Sequence, residues 1–229
     1  MITKADILFE DNHIIIIQKT AGIPTQGDET GDISLFEMVQ KYIKVKYNKP
    51  GDVYLGLVHR VDRPVSGLVM FAKTSKAASR LSEMFREHTI EKTYLAIVAQ
   101  QPPKEEDTLT NYIWKDKESN SAYCYNKEKK GSKKAILDYK QLQQVGKEYL
   151  LEVKPHTGRS HQIRAQLANM GCPIVGDIKY GSKVNVEDRS ICLLARRLKF
   201  IHPVKKTPLE IVSRTPEGRF WQKFTYQGY

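Results

Sequence analysis

In the stretch GLVHRVDRPVSGLVMFAKTS, residues 56–75, a single acid, Asp62, stands between Arg60 and Arg63 inside a largely apolar passage. A carboxylate beside apolar strands is costly unless it is paired, and Arg60, Arg63 and the more distant Arg164 are the guanidinium partners on offer. Two readings fit. One is a structural ion pair, the ordinary role of a lone acid in such surroundings. The other is a nucleophile held ionised by a guanidinium, because covalent catalysis by Asp needs an unprotonated oxygen at neutral pH.

A second group lies in KPHTGRSHQIRAQL, residues 154–167, where Thr157, Gly158, Arg159 and Ser160 lead into a predicted helix. Free amides at a helix start, a small flexible residue and an adjacent Arg suit a phosphate, although Ser160 serves equally well as a plain N-cap. On that helix His161, Arg164 and Ala168 share a side next to the apolar one of Ile163, Leu167 and Met170. Arg164 then either looks into a cleft or snorkels to water. Tyr94, in EKTYLAIV, alternates with Ala96 and Val98, which makes it a core ring or a platform for a nucleobase.

The elements that must position these groups are legible from periodicity. ILFEDNHIIIIQKT reads as two short strands turning at Asp11 and Asn12. Ser34 and Glu37 have capping-box spacing ahead of Leu35, Val39 and Tyr42 at helical intervals. VYLGLVHRV and GLVMFAKT are strand-length runs flanking the polar DRPVS, so Pro64 leaves Asp62 on a loop between strands. Ser75 caps a helix through KAASRLSEMFREHT, and TYLAIVAQ follows as a strand. Residues 104–149 are more polar, with the charge run NKEKKGSKKA as a solvated loop or an RNA-touching finger. YLLEVKP, the helix SHQIRAQLANM closed by Gly171, and the strands in SICLLARRLKFIHPV and PLEIVSRT complete the chain. Strands dominate and helices fall irregularly, so the fold class is α+β with a mixed or antiparallel sheet.

The 229 residues suit one domain spanning 1–229, with room for two lobes around a cleft. Lys and Arg number 37 against 26 Asp and Glu, a net charge of +11 that suits a polyanionic partner such as nucleic acid. Three cysteines without a CxxC pair speak against a disulfide framework or a cysteine zinc site, and fit a reducing cytoplasm. No apolar run approaches the ~18 residues of a membrane span, and acids stand early in MITKADILFEDN where a signal peptide would be apolar.

Taken in order and spacing, HRVDRPVSGLVMFAKTSKAASRL, EKTYLAIV, HTGRSHQIRAQLANMGCPIVGDIKYG and LLARRLKFIHPV resemble the RluA-type pseudouridine synthases, from about residue 7 to residue 214. The resemblance implies a mixed, largely antiparallel sheet with helices and loops around an RNA cleft. It implies roles for Asp62 as the catalytic aspartate, Tyr94 as the active-site tyrosine and Arg164 as the basic residue pairing with the aspartate. Arg60 matches an arginine that helps extrude the target nucleotide and fills its place. His59, Arg63, Arg159, Ser160, His161, Lys130 and Lys133 are the further candidate RNA contacts. No cofactor and no metal are implied; the partner is RNA, ribosomal or transfer, met by a cytoplasmic monomer.

Two departures from the usual pattern, Val61 for leucine and Val65 for threonine, roughly keep shape and leave Asp62, Ser66 and Gly67 in place. The S4-like RNA-binding module that many relatives carry is not expected, since the catalytic region begins almost at residue 1. The rival reading is a catalytically silent RNA-binding or ribosome-assembly protein on the same scaffold. A hydrolase built on Asp62 and His59 lacks a second carboxylate or metal cluster to activate water.

Overall fold

The computed structural model describes residues 2–186 and 190–226. Its contacts divide the chain into two compact units, one of Met1–Lys92 with Ala195–Thr215 and one of Thr93–Leu194 with Pro216–Tyr229. The architecture is α+β, with three α-helices and eleven strands among the described residues.

In the first unit, β1 (Ile7–Glu10) and β2 (Ile14–Lys19) form the expected hairpin. Its turn is closed by Asp11, whose Oδ1 accepts from the amides of His13 and Ile14 at 2.8 and 3.0 Å. The helix α1 (Leu35–Lys46) starts on a capping box: Ser34 Oγ accepts from the Glu37 amide while Glu37 Oε2 accepts from the Ser34 amide at 2.9 Å. The run VYLGLVHRV yields only the two-residue strand β3 (Gly56–Leu57), shorter than its apolar pattern predicts. Gln40 explains part of this, because its side-chain amide donates to the Val53 carbonyl at 3.0 Å, where a strand would have a ladder bond. All seven residues of β4 (Ser66–Ala72) are buried; β4 stands between β2 and β10 (Leu193–Ile201) in the strand order, and β11 (Pro208–Val212) pairs antiparallel with β10. A Cβ on Gly67 would lie 2.3 Å from the Ala195 carbonyl oxygen, and its φ is +108°, so only glycine fits this crossing. The helix α2 (Ser75–Arg86) is capped by Thr74, whose Oγ1 accepts from the Ala77 amide at 3.2 Å, rather than by Ser75, its first helical residue.

The second unit is an antiparallel sheet in the order β5 (Glu91–Val98), β9 (Glu148–Pro155), β8 (Lys133–Val145), β6 (Glu106–Asp116), β7 (Ser121–Tyr125). Polar residues 104–149 are therefore mostly long strands, with the charge run NKEKKG in the turn leading to β8. The short helix α3 (Gln162–Asn169) begins two residues later than its sequence suggests. Its N-cap is His161, held at φ +50°. Ser160 does not cap it. The Gln162 side chain organises the entry instead, with Oε1 accepting from the Arg159 amide at 2.9 Å and Thr157 Oγ1 at 2.8 Å, and Nε2 donating to the Ile136 carbonyl. Gly171 closes the helix at φ +87°, with the Cys172 amide donating to the Leu167 carbonyl.

Candidate active site

Asp62 occupies a loop whose backbone is fixed from several directions. Thr25 Oγ1 donates to the Val61 carbonyl at 2.8 Å, and the Val65 amide donates to the Asp62 carbonyl at 3.0 Å. The Arg63 carbonyl accepts twice, from the Gly22 amide at 2.8 Å and from Lys19 Nζ at 2.9 Å. Lys19 itself is 0% exposed, and its Nζ also donates to the carbonyls of Ile23 at 2.8 Å and Thr20 at 3.1 Å. Three acceptors require three donors, so the fully bonded form is the ammonium. Burial brings that ammonium down to about 7, with the Asp62 charge opposing the shift and Arg63 assisting it.

The sign of the linked stability follows. From pH about 7 up to the ordinary lysine value of 10.5, the unfolded chain holds this proton more firmly than the folded one. Unfolding free energy from this group therefore rises with pH across that window, by at most about 1.4 kcal/mol per pH unit. Urea titrations of the wild type and Lys19→Met at several pH values check it: the stability difference between them should move in favour of the wild type as pH climbs from 7 to 10. A difference that stays level would contradict the buried-ammonium account.

The neighbours of Asp62 divide in use. Arg60 is exposed. Arg63 is taken up by its own unit, with Nε on the Gly22 carbonyl at 2.9 Å, Nη1 on Thr30 Oγ1 at 2.9 Å and Nη2 on the Asp32 carboxylate. His59 stacks on Phe85 with ring centroids 4.8 Å apart and accepts the Met70 amide on Nδ1. Burial and nearby Lys92 lower it to about 4, so it is neutral at physiological pH. Arg80, on α2, donates to the Pro203 carbonyl at 2.8 Å.

In the second unit, Arg164 is 5% exposed and its guanidinium grips a carboxylate two-handed, Nε to Asp177 Oδ2 at 2.7 Å and Nη2 to Oδ1 at 2.8 Å. It neither snorkels nor sits half-buried. Its guanidinium carbon stands 4.8 Å from the Tyr180 ring centroid, and the Tyr180 hydroxyl bonds His161 Nδ1 at 2.7 Å while accepting the Ala122 amide. His161, Arg164, Asp177 and Tyr180 thus form one cluster, and the strained backbone of His161 is tied to it through its ring. Gly176 makes the turn into Asp177 possible, since a Cβ there would lie 2.4 Å from the Ser190 carbonyl oxygen. Arg159 Nε donates to the Lys134 carbonyl at 2.9 Å, Lys130 and Lys133 are exposed, and Tyr94 is half-buried on β5 opposite Val153.

Lys19 and Asp177 escape motif reasoning. Both carry the signal that singled out Asp62, a charge set among apolar residues, at the end of IIIIQK and in the middle of IVGDI.

The α+β scaffold that carries these residues is one that solved structures share. The human RNA pseudouridylate synthase domain-containing 4 protein superposes with a TM-score of 0.78 at 23% identity, covering 96% of this chain and 91% of that one. Residues 13–169 match the family described as RNA pseudouridylate synthase, and the chain belongs to that family. Among curated relatives, ribosomal large subunit pseudouridine synthase C of Rickettsia bellii is 37% identical over 79% of this chain, which spans 58% of that relative's length. The tRNA pseudouridine synthase C of Vibrio parahaemolyticus is 30% identical, with 96% of this chain and 93% of the relative aligned.

Proposed function

We propose that the protein is an RNA pseudouridine synthase that isomerises a uridine in structured ribosomal or transfer RNA, working as a cytoplasmic monomer. The observation that carries this reading is the family match across residues 13–169, which contains Asp62, Tyr94 and Arg164. The reaction breaks the C1′–N1 bond, turns the freed uracil and rejoins it through C5, so a detached base must be retained in a closed pocket. A stacked uridine hides its sugar carbon, and flipping it out costs a few kcal/mol (roughly), offset by stacking and phosphate contacts. In this reading Arg60 fills the vacated place. Asp62 acts as a carboxylate, by attack on C1′, addition to C6 or removal of a sugar proton, and Arg164 is its charge partner. Release of tritium from 5-tritiated uridine transcripts tests the activity directly. Deleting the protein in its host and mapping pseudouridines across stable RNAs identifies the target, and an unchanged map together with no tritium release rejects the proposal.

A protein that only binds RNA has no use for a carboxylate beside its ligand's phosphates, and this favours the enzyme over the silent scaffold. In this mechanism Tyr94 stacks on the uracil and moves the C5 proton in the last step. Tyr94→Phe separates the two contributions. A fall in single-turnover rate of about 100-fold or more is expected if the hydroxyl carries the proton. A rate near wild type would leave the ring a packing role only.

A further inference from the structure

The hairpin of β6 and β7 presents an aromatic face that the core does not use. In its register Tyr112 stands opposite Tyr125 and Trp114 opposite Tyr123, while the alternate residues Ile113, Ala122 and Cys124 pack with Ala135 and Ala165 on the other side. Trp114 and Tyr123 are 39% and 47% exposed, and their rings are 5.8 Å apart at 30°. Two exposed rings of this size on one sheet face are unusual for a surface that meets only water.

Cations border the same face. Lys134 is the β8 partner of Tyr112 and continues its row, and Lys129 Nζ lies 3.9 Å from the Tyr125 ring centroid. The 126–132 turn passes beside the indole, since a Cβ on Gly131 would meet Trp114 at 3.5 Å. Residues 112–134 hold seven lysines and three acids, a balance that draws a polyanion and repels a second copy of the same face. Flat rings with ammonium groups at their edge are the recognition chemistry of unpaired nucleotides, bases on the rings and phosphates on the lysines.

We infer that the outer face of this hairpin, centred on Trp114 and Tyr123, is an RNA contact separate from the residues assigned to the reaction, gripping unpaired nucleotides of the substrate by stacking. The inference rests on the proposed function only for the class of partner. A short oligocytidylate is the probe, because it contains no uridine to enter a uridine pocket. The chain has two tryptophans and Trp221 is buried, so the fluorescence difference between wild type and Trp114→Phe reports Trp114. Oligocytidylate should quench that signal saturably. Trp114→Ala with Tyr123→Ala should weaken its binding by about tenfold or more, and Trp114→Phe with Tyr123→Phe should restore it. With a modified transcript the alanine pair should raise KM and leave kcat unchanged. Unaltered oligocytidylate affinity in the alanine pair overturns the inference, as does a concentration-dependent dimer that the pair abolishes. Quenching by oligocytidylate in a protein that releases no tritium from any transcript would uphold the stacking face and reject the proposed reaction, so the two failures are distinct.

Discussion

Asp62→Asn will reduce pseudouridine formation to background while leaving RNA affinity within several-fold of wild type. The amide matches the carboxylate in size but offers no anionic oxygen, so attack on C1′, addition to C6 and proton removal are all lost together. The loop should survive the change. Thr25 Oγ1, the Val65 and Gly22 amides and Lys19 Nζ hold the Val61, Asp62 and Arg63 carbonyls, and the amide substitution leaves those backbone acceptors in place while removing the charge that favours the Lys19 ammonium. Tritium release and filter binding, measured on one transcript, check both halves of the expectation. Turnover in the asparagine variant would refute the role given to Asp62. Loss of binding together with turnover would instead make the residue part of the RNA contact surface.

The second large effect concerns the ion pair under the helix α3. Asp177→Ala removes the carboxylate that the buried Arg164 guanidinium grips with Nε and Nη2, and breaking such a buried pair costs about 3–5 kcal/mol of unfolding free energy. Urea denaturation measures it as a lower midpoint at unchanged slope. The pair Arg164→Met with Asp177→Leu distinguishes structure from chemistry. Removing both charges together restores much of the stability, because neither is left stranded, whereas turnover stays at background if Arg164 serves the reaction. Full activity in that double variant would reduce Arg164 and Asp177 to a packing element.

Local grammar carried far into this fold. Asp11 closes a hairpin because its short side chain reaches two amides, and Ser34 with Glu37 starts a helix because each satisfies the other's orphan donor. Both effects act within four residues, and both are visible in the letters. Where a distant partner intervenes, the letters mislead. The apolar run before Asp62 pairs as a strand only at Gly56–Leu57, and at its start the Val53 carbonyl is taken by Gln40 from another element. Ser160 yields the helix start to Gln162, whose amide reaches Ile136 on β8 as well as the local chain. The same holds in the candidate site. Asp62 stood out because its charge conflicts with its neighbours in sequence, while the grip of Asp177 on Arg164 spans 13 residues and that of Lys19 on the Arg63 carbonyl spans 44. His59 and Arg63, two of the candidate RNA contacts, have side chains engaged with Phe85 and with the 22–32 loop.

Gly67 meets Ala195, Gln18 exchanges bonds with Arg214, and Arg214 reaches the Ala5 carbonyl, so the first 92 residues close around a segment from the far end of the chain. On the ribosome, roughly 100 further residues must emerge before that segment exists, a delay of about 5–20 s at ordinary elongation rates. The isoleucine-rich hairpin spends this interval unfinished, as a client for chaperones, and a nascent chain stalled before Ala195 carries the acid without the strand that completes its support.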